Sequence, residues 1–192
     1  MTDEPYPIVD SESVGDPSRF LSLETLCRGF DELEPLDSRA GRVALIVRRV
    51  EGGLREVLES VLVTPETGVT GDAWERRPNR KGEMQIAVMR ADVARMIANT
   101  QPLTLFGDNL FLDLDLSSDV LPAGTRLRVG EALLEVTPKP HTGCRKFEAR
   151  FGADAWKFVW LPELKNRNLR GIYMRVVDAG TVRAGDPVHV LG

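Results

Sequence analysis

Hydrophobic and polar residues alternate over short stretches along most of this chain, and only a few segments repeat apolar positions at helical spacing. Residues 43–50 (VALIVRRV) and 54–64 (LREVLESVLVT) are β-branched runs parted by Glu51-Gly52-Gly53, which predicts a hairpin. A glycine-punctuated turn follows at 65–72 (PETGVTGD), then Trp74 with Arg76, Arg77, Arg80 and Lys81, then a strand at 84–89 (MQIAVM) and a short helix at 92–98. Residues 103–115 (LTLFGDNLFLDLD) alternate on both sides of Gly107-Asp108-Asn109, so two short strands are expected to meet at that turn. Further strands are predicted at 126–129, 132–137, 172–177, 182–183 and 187–191, with a brief helix at 154–160. Many short strands, glycine-rich turns and few helices predict an all-β fold, a barrel or sandwich, and not alternating βα units.

The amino-terminal part has a different character. Residues 1–17 are acidic, contain Pro5, Pro7 and Pro17 and show no period, as expected of a flexible or loosely docked arm. Between 18 and 33, Phe20, Leu23, Leu26, Cys27, Phe30 and Leu33 recur at helical spacing, with Asp16 or Ser18 available as the cap. Cys27 falls on that apolar stripe and reads as a core residue. The expected organisation is an arm over 1–17, a helical segment over 18–38 and a β-domain over 39–192.

Composition narrows the class. A chain of 192 residues accommodates one domain with an appendage, or at most two small domains. No apolar run approaches the roughly 18 residues that span a bilayer, and MTDEPYPIVDSES lacks the basic and hydrophobic regions of a signal, so a cytoplasmic protein without membrane contact is expected. Two cysteines are too few for a disulfide scaffold or a four-thiolate cluster. His141 and Cys144 have the spacing of half a zinc site, but Cys27 and His189 supply no nearby second half. The net charge of −4 conceals an asymmetry, since residues 1–38 hold ten acidic and two basic side chains. Between 139 and 170, by contrast, eight Lys and Arg face only Glu148, Asp154 and Glu163, a local excess that suits either an anionic ligand or a plain solvated surface. Trp74 beside Arg76 and Arg77 could stack on a base, but the overall acidity and the lack of a long basic face argue against nucleic acid.

That basic region centres on 138–151, PKPHTGCRKFEARF. Two prolines and a glycine deliver Cys144 on a loop, and the residues after it are expected to start a short helix. A thiol near a helix start, with Arg145, Lys146 and His141 nearby, is in surroundings that favour thiolate, which makes Cys144 a candidate nucleophile or soft-metal ligand. The alternative at this level is a small apolar residue beside a solvated basic face.

Several phrases taken together resemble the MOSC family, domains named for the C-terminal region of molybdenum cofactor sulfurase. They are GVTGD at 68–72, GDNL at 107–110, LPAGTRLRVGEALLEV at 121–136, PHTGC at 140–144 and LRGIYMRVVDAGTVRAGDPVHV at 169–190, covering roughly 41–191. The resemblance implies a distorted β-barrel with a few short helices that binds the molybdenum cofactor (molybdopterin), or sulfur in its vicinity. Cys144 matches the family cysteine and would ligate molybdenum or carry a persulfide, and Asn109 sits where related sequences place an asparagine that could contact the cofactor. Arg145, Lys146 and Arg170 have no matched role. Their charge suggests partners for the pterin phosphate, with His141 beside them.

Two functions follow from the resemblance. The first is a molybdenum-dependent reductase of small N-hydroxylated compounds that draws electrons from a separate donor protein, because the chain shows no ferredoxin-like cluster domain. The second is a non-enzymatic carrier in which Cys144 passes a persulfide or the cofactor between a sulfur donor and an acceptor enzyme. No segment offers the pyridoxal-bearing lysine fold of a desulfurase. A β-barrel that has lost ligand binding is a third option, and the helical segment at 18–33 is open to packing on the barrel or to forming a homodimer contact.

Overall fold

The computed structural model describes Asp10 and residues 12–191; the greater part of the expected flexible arm, residues 1–9 and 11, lies outside them. Among the described residues eleven strands form two sheets: β1 (Ala40–Arg49), β2 (Arg55–Leu58), β3 (Ser60–Thr64), β4 (Gly68–Val69), β5 (Ile86–Arg90), β6 (Leu110–Asp113), β7 (Arg126–Val129), β8 (Ala132–Pro140), β9 (Ile172–Asp178), β10 (Gly180–Arg183) and β11 (Pro187–Leu191). In the main sheet the order β11-β7-β8-β9-β5-β6-β1 closes on itself through β1–β11 pairing, giving a seven-stranded barrel from which β2 extends. Only β5 and β6 run parallel, so the barrel is mixed. A small sheet, β10-β3-β4, stands beside it.

The expected hairpin forms, but the run 54–64 does not stay one strand. It breaks at Glu59, so that β2 continues the barrel sheet while β3 joins the second sheet. The expected pair of strands around Gly107 is also corrected. Leu103–Leu105 is a 3₁₀ turn, and only the second half of that apolar stretch, β6, enters the sheet. Alternation alone could not separate the two, because the 3₁₀ turn buries Thr104 and Leu105 as thoroughly as a strand would.

Two apolar cores explain the runs that alternate poorly. One fills the barrel, with Ile46, Val88, Leu110, Leu134, Met174 and Val188 among its members. The other lies outside β1, β5 and β6, where Leu45, Val47, Met89 and Phe111 meet the helices. These strands are covered on both faces and so are apolar at successive positions. A register shift between Val43 and Leu45 lets Val43 and Ile46 both point inward although they stand three positions apart.

Four helices cover that outer face: α1 (Leu23–Asp31), α2 (Ala91–Ala98), α3 (Arg145–Phe151) and α4 (Ala153–Phe158). The expected helix over 18–33 is shorter because Ser22 takes the cap, its hydroxyl accepting from Thr25 N, while Asp16 caps a separate 3₁₀ turn, Pro17–Arg19. Leu26 is the fully buried residue of α1, and Cys27 is half-buried against the same cluster. The helix packs on α4, with Phe30 and Phe158 edge to face at 6.0 Å. Among the described residues no helix is long and apolar enough to cross a membrane.

Candidate functional site

The strand that leads to Cys144 loosens before it gets there. Val136 pairs with Met174 and Pro140 with Ile172, so between these pairs three residues of β8 oppose Tyr173 alone. Pro138 and Pro140 have no N–H for the ladder, which accounts for the bulge. The chain then runs His141-Thr142-Gly143 into α3, and Cys144 is the N-cap of that helix, its carbonyl accepting from Glu148 N at 3.2 Å. Its side chain makes no capping hydrogen bond and is exposed. Trp156 of α4 steadies the loop from behind, donating Nε1–H to Gly143 O at 3.3 Å.

The bulged strand and this loop form one wall of a cavity of about 890 Å³. Pro138, Lys139, Pro140, His141, Thr142 and Gly143 line that wall. Trp160, Leu161, Lys165, Leu169, Arg170 and Ile172 are among the other lining residues, together with Gly171. The lining ends at Gly143, so Cys144 stands at the cavity edge and not inside it. Gly171 (φ +93°) is obligatory there, since a Cβ would run into the carbonyl of Val88.

Beneath the cavity lies a buried polar group that the sequence reading passed over. Asp108 is completely buried; its Oδ2 accepts from Arg170 Nη1 at 2.8 Å, and its Oδ1 lies 3.4 Å from His141 Nδ1. Arg170 also stacks on Phe147 of α3, with its guanidinium 5.2 Å from the ring centre, and His141 stacks on Tyr173 at 4.3 Å. Asp108 Oδ1, His141 Nδ1 and Arg170 Nε have no hydrogen-bond partner. Burial pushes the Asp108 carboxyl above its ordinary range, and the Arg170 charge and hydrogen bond only partly oppose this. Burial, followed by the charges of Arg170 and Arg49, drives His141 well below its ordinary value. His141 is therefore neutral at physiological pH, which corrects the expectation that it adds positive charge beside Cys144.

The remaining expected site residues separate. Asn109 is fully buried, and all its contacts are within the protein: its Nδ2 donates to Val47 O and Asp72 Oδ2, and its Oδ1 accepts from Ala87 N and Arg49 Nη2. It ties three parts of the fold together behind the Asp108 turn. Arg145 is exposed on the first turn of α3, and Lys146 is exposed and paired with Glu12 at 2.7 Å. Trp74 is buried and donates to Lys81 O, so it offers no face for base stacking. The signal for Asp108 was present in LFGDNLFL, an acid enclosed by apolar residues on both sides. Only the fold could show that Arg170, 62 positions away, is its partner.

The chain's likenesses agree with this architecture. The crystal structure of the YuaD protein from Bacillus subtilis superposes with a TM-score of 0.57 at 15% identity, covering 79% of this chain and 95% of that one. YiiM from Escherichia coli gives a TM-score of 0.52 at 22% identity, covering 79% of this chain and 70% of that one. At such identities these structures speak for the fold alone. No curated protein matches the chain. The family model described as MOSC domain matches residues 72–189, a span running from just after β4 through the Asp108 turn and the Cys144 loop to the closing strand of the barrel. That match covers more than half of the chain, which therefore belongs to the MOSC family.

Proposed function

We propose that this protein holds the molybdenum cofactor with Cys144 as the protein ligand to the metal, and that it reduces N-hydroxylated compounds with electrons from a partner protein. The observation that carries the reading is the exposed Cys144 thiol at the edge of a cavity whose wall includes His141 and Arg170, polar groups with unused hydrogen-bonding capacity.

The residues present suit such a group. A soft thiolate is a fitting donor for a metal in a sulfur-rich coordination sphere. Among the described residues no three His, Cys, Asp or Glu side chains converge, so a metal at Cys144 would take its other ligands from a prosthetic group. A cavity of about 890 Å³ is within the size range of cofactor sites, and orphaned buried polar atoms suit a ligand rich in donors and acceptors. Lys139 and Lys165 on its walls would offset anionic charge.

When bound, the cofactor would supply a two-electron redox centre. The chain's contribution is binding and orientation. The overall conversion takes an N–OH compound, two electrons and two protons to the N–H compound and water, with the electrons arriving from the partner. Neutral His141 is a hydrogen-bonding wall instead of a fixed cation, so it can orient a hydroxyl without adding charge. Leu161 and Ile172 give the rest of the cavity an apolar lining.

A second reading, a carrier of sulfur or of the cofactor, is favoured by the position of Cys144 outside the lining, where another protein can reach it. Reduced viologen supplied with an N-hydroxylated compound separates the two. A reductase consumes many equivalents per protein, whereas a carrier transfers one equivalent of sulfur or cofactor and stops.

A further inference from the structure

The turn at 107–109 does not need an acid at its centre. Gly107 makes the bend at φ +76°, and Asn109 locks the backbone after it, its N–H donating to Ala87 O at 2.8 Å and its carbonyl accepting from Val47 N at 2.8 Å. Asp108 between them is completely buried, and its carboxyl turns toward residues 141 and 170 instead of back onto its own turn.

Each carboxyl oxygen has one neighbour there. Oδ2 accepts from Arg170 Nη1 at 2.8 Å, and the one other side-chain acceptor near that nitrogen is Met89 Sδ at 3.7 Å. A neutral Asp108 would leave the buried guanidinium an uncompensated charge, so the ion pair keeps the group a carboxylate at neutral pH although burial raises it. A carboxylate oxygen can only accept. Oδ1 faces His141 Nδ1 at 3.4 Å, a little beyond the usual N–H···O contact, and neither atom has another partner.

A neutral imidazole carries one N–H, and the nitrogen that lacks it is an acceptor. With the proton on Nδ1, a donor meets Oδ1; with the proton on Nε2, two buried lone pairs face each other unsatisfied. Nδ1 is the enclosed ring nitrogen, and Tyr173 stacks on the ring at 4.3 Å, so Nε2 is the nitrogen left to the cavity that His141 lines.

We propose that Asp108 is a positioning residue that holds the proton of His141 on Nδ1, so that Nε2 meets the cavity as a hydrogen-bond acceptor and the site takes neutral ligands presenting an O–H or N–H donor there. O-alkylated counterparts of such ligands leave Nε2 unpaired and bind worse. The ligand class rests on the reading of the cavity given above and narrows it to N-hydroxylated compounds whose oxygen still carries its hydrogen.

Long-range proton–nitrogen NMR spectra of the isotope-labelled full chain, prepared without cofactor, report the tautomer, since a bare ring nitrogen resonates far downfield of one that carries a proton. Comparison with His141→Gln separates the signals of His141 from those of His189. The wild type should show a protonated Nδ1 and a bare Nε2. Asp108→Asn should invert the pair, because Arg170 keeps the amide oxygen and the amide N–H then donates to Nδ1. The wild-type spectrum decides by itself should that variant fold poorly. Benzaldehyde oxime should move the Nε2 signal at roughly tenfold lower concentration than its O-methyl ether, and Asp108→Asn should lose this preference. A wild-type ring protonated on Nε2, or one exchanging between tautomers, would overturn the positioning role. Equal titrations by oxime and ether, or no shift with either, would overturn the ligand class. None of these readouts needs a metal or a partner, so the expected pattern in a protein that retains no molybdenum would refute the proposed function and leave this assignment standing.

Discussion

Replacing His141 by Gln tests the buried polar group under the cavity through the pH dependence of stability. The folded protein keeps His141 neutral, because burial and then Arg170 and Arg49 depress its basicity, whereas the unfolded chain protonates it near its ordinary value. A base with a depressed folded pKa contributes stability that is present above the unfolded pKa and is lost as pH falls below it. The loss proceeds at up to about 1.4 kcal/mol per pH unit, so moving from pH 7 to pH 5 would cost at most about 2 kcal/mol. For a chain of this size that is a melting-temperature drop on the order of 4–8 °C. The chain has only one other histidine, His189, which is exposed on β11, so the variant isolates the effect. Asp108, whose carboxyl is raised by burial, titrates in the opposite sense and faces His141, and Tyr173 and Arg170 complete its surroundings. The readout is therefore the difference between wild type and His141→Gln at each pH, measured by urea unfolding. Wild type should lose stability relative to the variant as pH falls from 7 to 5. Parallel pH profiles would refute the claim that the site holds this imidazole neutral.

Other substitutions separate structural from chemical roles. Asp72→Ala leaves Arg49 without the carboxylate that accepts from its Nε and Nη2, and should destabilise by about 3–5 kcal/mol in denaturant titrations. Burial works to raise Asp72, but the hydrogen bonds and charge of Arg49 hold it below the ordinary carboxylate range, so this pair's contribution should fade only under strongly acid conditions. Gly171→Ala forces a side chain against the Val88 carbonyl at φ +93° and should lower soluble yield or the unfolding midpoint sharply. Trp156→Phe removes the bond to Gly143 O, which should cost about 1 kcal/mol or less while changing the rate of Cys144 modification measurably.

The barrel was legible because its strands are short, bounded by glycine turns and, on β7, β9 and β11, covered on one face only. β1, β5 and β6 were harder, since Leu45, Met89 and Phe111 serve a second core that periodicity cannot distinguish from the first. Cys144 was readable from its loop-to-helix setting, and α3 starts one residue after it. The polar group around Asp108 was not, because its members come from positions 108, 141 and 170 and meet only through the β8 bulge and the β9 approach. Charge counting treated Arg170 as a free cation, whereas the fold commits one of its nitrogens to Asp108. Residues 12–16 fall in a stretch without period, and their anchoring depends on Gln101 and Arg150, far away in sequence.

The central claim concerns Cys144, whose exposed side chain makes no capping bond, so Cys144→Ala should shift stability by no more than about 0.5 kcal/mol. Molybdenum content and pterin fluorescence, measured on wild type and this variant from a cofactor-producing host, test the claim most directly. Near-stoichiometric metal in the wild type, lost from an equally stable variant, is the predicted result. Equal metal in both proteins, or none in the wild type after reconstitution, would contradict it.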